Sequence, residues 1–229
     1  MAEFTELLNN AEKIDKFIYS CSTNDCNMLA RKNCLYKVMP IYNEKLQIFL
    51  LNTSLFKNIN VIQLHPSAEN GFPHTRPNNI ICIPNTSKFP SLKTTLYHEY
   101  IHIHQRNNVA LWKEFLGKEQ WSKIEDSEIP ERWFARCRIN PDTCYSRFWA
   151  YENRYIPLPL FVRPHDPYFE EVEIVYYDLR TGILQHEVPE TILRRYGENR
   201  QSEHPFEIYA VEMEDKISSE KDILDYLNV

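Results

Sequence analysis

Leu96-Tyr97-His98-Glu99-Tyr100-Ile101-His102-Ile103-His104-Gln105-Arg106 is the stretch that decides how this chain reads. Leu92, Leu96 and Ile103 recur on one stripe of a helix predicted from about residue 91 to residue 105, with Ser91 as its N-cap behind Pro90. His98 and His102 are four residues apart, so on a helix they share a face, and their imidazole nitrogens can converge on one ion. That face lies roughly 120–160° from the apolar stripe at about 100° of rotation per residue. Glu99 sits about 100° round the helix from His98. It is badly placed to join the same ligand set and well placed to reach a water on the open side of a metal. His104 points nearly opposite to His98 and is not a ligand candidate.

Two histidines on one helix leave a catalytic zinc one ligand short, because such a site takes three protein ligands and a water. The candidates elsewhere are Glu207, in His204-Pro205-Phe206-Glu207-Ile208-Tyr209-Ala210, and Glu152, in Trp149-Ala150-Tyr151-Glu152-Asn153. Pro205 suits the first position of a helix with His204 at the cap, which puts Glu207 in the first helical turn. The competing role for an acid there is simple attraction to the positive helix terminus.

LYHEYIHIHQR (residues 96–106) resembles the zincin metallopeptidase signature, and Glu207 in a later helix makes the chain resemble the gluzincin branch. That branch has two His ligands, a Glu ligand and a Glu base. The resemblance implies an α+β, zincin-like fold, helix-rich, with a small sheet next to the HExxH helix. It implies one Zn²⁺ per chain on His98, His102 and Glu207, with Glu99 as general base. It implies a zinc peptidase acting on a peptide or protein substrate. Zinc lowers the pKa of a coordinated water towards ~7, and a neighbouring carboxylate can take the proton and pass it to the leaving amine. The resemblance also makes residues 79–84 (NIICIP) the edge strand on which an extended substrate is laid by strand addition.

The bulk of the chain sets wider bounds. Its 229 residues are 43% hydrophobic and 25% charged, enough for one domain over 1–229, with a helical part at about 1–57 and a catalytic core at about 58–216. There are four glycines and no glycine-rich span, which argues against a phosphate-cradling loop. A net charge of −6 with no basic run argues against a nucleic-acid partner. No stretch approaches the ~20 apolar residues of a membrane span. The first residues lack the apolar segment of a signal peptide, so the expected setting is intracellular and cytoplasmic, with six free cysteines.

Periodicity predicts a helix over 3–19, strands over 58–65 and 79–84, a helix over 109–124 and an irregular segment over 138–168. Strands follow over 171–177 and 183–188, joined through Arg180-Thr181-Gly182, then helices over 190–196, 205–216 and 219–227.

Three further side chains are candidates for contact with substrate. His74 and Arg76, in Phe72-Pro73-His74-Thr75-Arg76-Pro77, can bind a carboxylate or stabilise an oxyanion. Tyr155 can donate a phenolic hydrogen bond to developing negative charge. Two other functions compete with the peptidase. One is a catalytically silent interaction protein on a zincin scaffold, against which the intact Glu99 counts. The other is a zinc hydrolase of a non-peptide substrate, since two histidines and a base activate water towards any electrophile.

Overall fold

The computed structural model describes residues 2–41, 43–85, 91–197 and 203–227. Along the chain the elements are α1 (Ala2–Asp15), α2 (Phe17–Ser22), α3 (Asp25–Ala30), β1 (Val38–Met39), α4 (Glu44–Asn52), β2 (Asn60–Leu64), β3 (His74–Arg76), β4 (Ile80–Pro84), α5 (Ser91–Asn107) and α6 (Val109–Lys118). They continue with β5 (Trp121–Ile124), α7 (Glu131–Phe134), β6 (Phe148–Tyr151), β7 (Tyr155–Phe161), β8 (Val172–Asp178), β9 (Ile183–Gln185), α8 (Glu190–Tyr196), α9 (Pro205–Met213) and α10 (Glu220–Leu227). The chain is therefore α+β. It forms two compact units interleaved in sequence: residues 1–19, 33–107 and 212–229 make one, residues 20–32 and 108–211 the other. The first 57 residues do not stand apart as a helical part, because most of them build the first unit together with residues 58–107.

The first unit holds a four-stranded sheet in the order β1-β2-β4-β3. β2 and β4 run parallel, with Ile62 opposite Cys82, and β3 runs antiparallel to β4, with Thr75 opposite Ile81. Residues 79–84 are therefore not an edge. β4 lies between two partners and is buried at all five positions, as expected of a strand that is a near-continuous apolar run. The edge on that side is β3, a three-residue strand whose polar sequence gives no strand signal. Ile62, Leu64, Ile80 and Cys82 form the core with Ala11 of α1, and Phe4, Leu7 and Leu8 pack on it. α5 packs on β3 and β4. Leu92, Leu96 and Ile103 are buried, and so are Ile101, His102, His104 and Gln105, so this helix is enclosed on several sides. α5 already includes Ser91, the expected cap, as its first residue, and Pro90 falls outside the described residues.

Arg76 belongs to this unit's framework. Its Nε and Nη2 donate to Asp15 at 2.8 Å, and Nη2 also reaches Glu12 at 2.8 Å. Its guanidinium stacks 5.1 Å from the Phe17 ring centre. The side chains of Arg76 and Asp15 are 4% and 1% exposed, and the carboxylates hold the Arg76 pKa above its usual value against the opposing effect of burial. Removing one partner of such a pair strands the other charge, so Arg76→Met should destabilise the fold by about 3–5 kcal/mol. Urea titration checks this, and replacing Asp15 by Leu in the same protein should recover much of the loss.

The second unit holds an antiparallel meander, β5-β6-β7-β8-β9. Its core is Ile124, Phe148, Ala150, Ile156, Leu158, Leu160 and Val175. The segment expected to be irregular contains the β6–β7 hairpin. Glu152 and Asn153 turn it with φ of 52° and 51°, both left-handed, and the Arg154 N–H closes the turn on the Tyr151 carbonyl at 3.0 Å. Pro157 and Pro159 in β7 conceal the strand from a sequence reading, because proline cannot donate to a ladder. Both face away from β8. The neighbouring odd-numbered Phe161 N–H goes to the Arg136 carbonyl, while β7 pairs with β8 along its whole length. The end of the helix expected over 109–124 is β5 instead.

Candidate metal centre

Helical spacing does for His98 and His102 what the sequence suggests. Their Nε2 atoms are 3.1 Å apart, with the rings edge to face. The second nitrogen of each ring is held. His98 Nδ1 lies 2.8 Å from a Glu214 carboxylate oxygen, and His102 Nδ1 lies 2.7 Å from Gln105 Oε1. Both partners are acceptors, so each Nδ1 carries the hydrogen and each Nε2 presents a lone pair. With both rings neutral, two lone pairs face each other at 3.1 Å and repel unless a proton or a metal cation lies between them. Two zinc–nitrogen bonds of about 2.0–2.1 Å at a tetrahedral angle would set the nitrogens about 3.3 Å apart, close to the spacing found. The backing of each imidazole by an oxygen fixes tautomer and ring orientation in the way metal-bound histidines need.

Glu99 is 3% exposed, on the same helix. His104 is buried as well, and burial lowers its pKa while Glu220 opposes the shift.

Glu207 is in the first turn of α9. The helix starts as the sequence indicates: Pro205 takes the first position, and the Phe206 N–H donates to His204 Nδ1 at 3.1 Å. Phe206 and Tyr209 anchor α9 on α6 through Trp112 and Phe115, with ring centres 5.0–6.4 Å apart. Asn140 Nδ2 donates to Glu207 Oε1 at 2.8 Å and so fixes the carboxylate. Among the described residues, His98, His102 and Glu207 form the group that can hold a metal ion, one ligand atom from each lying within 4.8 Å of the others. Glu152 is not in that group; it occupies the β6–β7 turn.

Glu214 and Gln105 have signals a sequence reading can use. Gln105 follows His102 by three residues on one helix face. Glu214 follows Glu207 by seven, two turns further along the same side of α9 and one residue beyond its end.

The three candidates for substrate contact lie on β3 and at the start of β7. Arg76 is committed to Asp15 and Glu12, which leaves it poorly placed to receive a substrate carboxylate. His74 is buried on β3, with Nδ1 3.2 Å from the Phe72 carbonyl oxygen. Tyr155 opens β7, 9% exposed, with the Arg154 guanidinium 4.5 Å from its ring centre. Comparison of the chain with models of protein families, with curated proteins and with solved structures gives no match. No helix among the described residues is long and apolar enough to cross a membrane.

Proposed function

We propose that the chain is a zinc-dependent peptidase with a zincin-like site of the gluzincin kind, one Zn²⁺ held by His98, His102 and Glu207. The observation that carries this reading is the group of His98, His102 and Glu207, with the two Nε2 atoms 3.1 Å apart and each imidazole held from behind by an acceptor. Two nitrogens and a carboxylate oxygen suit a borderline dication, and three protein ligands leave a position for chemistry. When bound, zinc supplies Lewis acidity to water and to the scissile carbonyl. Glu99 is the general base: it takes the proton of the attacking water and delivers it to the leaving amine. Gln105 and Glu214 are positioning residues, each acting through a histidine. The partner is a peptide or protein substrate.

The test is incubation of the zinc-loaded protein with a mixed peptide library, with products identified by mass spectrometry. Defined cleavage products that vanish with a chelator and return with zinc are the expected result. Zinc retained with no peptide cut would favour an interaction protein on this scaffold. Turnover confined to non-peptide esters or amides would favour the other hydrolase.

A further inference from the structure

In the second unit a polar pocket is lined by Arg138, Asn140, Thr143, Arg147, Glu203 and His204, with Phe148. Its charges do not cancel. Arg138 is paired with Glu203. His204 is neutral by its bonding: Nε2 lies 2.7 Å from the Ser146 carbonyl and Nδ1 accepts from the Phe206 N–H. Arg147 is left over. Its nearest carboxylate, on Asp126, is 3.7 Å away, beyond hydrogen-bond length, and that side chain is 56% exposed. Arg147 itself is only 16% exposed. Its Nη2 and the Nε of Arg138 are buried N–H donors with no acceptor. Such donors call for one, and a guanidinium calls for a planar one.

Stacking defines where that acceptor sits. The Arg147 guanidinium lies 4.3 Å from the Phe134 ring centre and 5.1 Å from that of Phe148. The two ring centres are 6.0 Å apart, so both rings lie to one side of the guanidinium, and the Nη2 donor, buried without an acceptor, is what remains available. Asn140, in the same pocket, also reaches Glu207. Its Nδ2 donates to Glu203 Oε1 at 2.9 Å and to Glu207 Oε1 at 2.8 Å. The pocket is thus one side chain away from Glu207.

We propose that this pocket binds a carboxylate of the substrate, through the edge of Arg147 with Thr143 beside it, and so directs the peptidase to peptides carrying an acidic group near the scissile bond. This rests on the peptidase reading for the word substrate, and on the pocket alone for the carboxylate. The group is either a C-terminal carboxylate or a Glu or Asp side chain, which present the same chemistry to Arg147.

The test is a binding measurement that does not depend on turnover. Three acetylated pentapeptides are titrated calorimetrically into the zinc-loaded Glu99→Gln protein. One ends in a free carboxylate. The second is its C-terminal amide. The third is that amide with one glutamine changed to glutamate. The expected result is about tenfold tighter binding of one acidic peptide than of the neutral amide, the preferred peptide identifying the source of the carboxylate. Arg147→Gln should abolish the preference without weakening the neutral peptide, and Arg147→Lys, which keeps charge but not the planar edge, should keep only part of it. Equal affinities for all three peptides, or a preference that survives Arg147→Gln, would overturn the proposal. The comparison among peptides stands whether or not the variants fold. Failure of the library hydrolysis with an intact acidic preference would remove the peptidase and leave the carboxylate pocket.

Discussion

Glu99→Gln should keep its zinc and lose peptide hydrolysis by about 10²–10⁴-fold, the range over which a positioned acid–base group contributes. The substitution preserves the shape of the side chain, and Glu99 is outside the group His98, His102 and Glu207, so metal content should not change. The glutamine amide cannot accept the proton of the attacking water. The helix context sharpens the expectation. Glu99 is buried on α5, a helix fixed against β3 and β4, so its carboxylate has little freedom to be replaced by another acid. Glu99→Asp retains the base but retracts it by one methylene, and a displacement of about 1 Å already costs on the order of 10²-fold. A pH–rate profile of wild type and both variants, with metal content measured on the same samples, distinguishes a lost base from a lost ion. Wild-type rates in Glu99→Gln would end the general-base assignment.

How much of this was legible in the sequence depends on whether the deciding contacts are local. α5 was legible, because the spacing of Leu92, Leu96 and Ile103 sets its buried stripe and the four-residue step sets His98 beside His102. The start of α9 was legible too, since the His204 cap and Pro205 act within one turn. β8 and β9 follow the alternation around the turn at Gly182, whose φ of 70° suits glycine. What failed was non-local. Whether residues 79–84 form an edge or an interior strand depends on β3, whose three polar residues, His74, Thr75 and Arg76, carry no alternation at all. β7 was hidden by two prolines whose cost disappears only when it is known which neighbour they face. The predicted helix over 3–19 breaks at Lys16, in the left-handed region at φ 50°, into α1 and α2. The two compact units left no linker to find, since each is assembled from separated segments. The ion pairs of Arg76 were hidden for the same reason: its partners are about sixty residues earlier, in α1.

The largest effect on composition of the protein should come from the histidines. Elemental mass spectrometry of the purified chain should give one zinc per chain, and His98→Ala or His102→Ala should give none, because each removes one of two convergent nitrogens and leaves at most two ligands. Glu207→Ala should also lose the ion on dialysis. If zinc instead persists in Glu207→Ala, the two histidines keep their role and the third ligand lies elsewhere. Glu214→Ala tests a different point. Its carboxylate holds His98 Nδ1 at 2.8 Å and acts on the metal only through the ring. The loss should be graded, about 10–100-fold in zinc affinity, the usual cost of removing an outer partner of a ligating histidine. A competition titration against a chromogenic chelator reads that difference. Glu214→Gln can still accept from Nδ1–H through its amide oxygen, so it should recover part of the affinity; a merely structural role for Glu214 would change thermal stability while leaving the zinc affinity of the folded protein where it was.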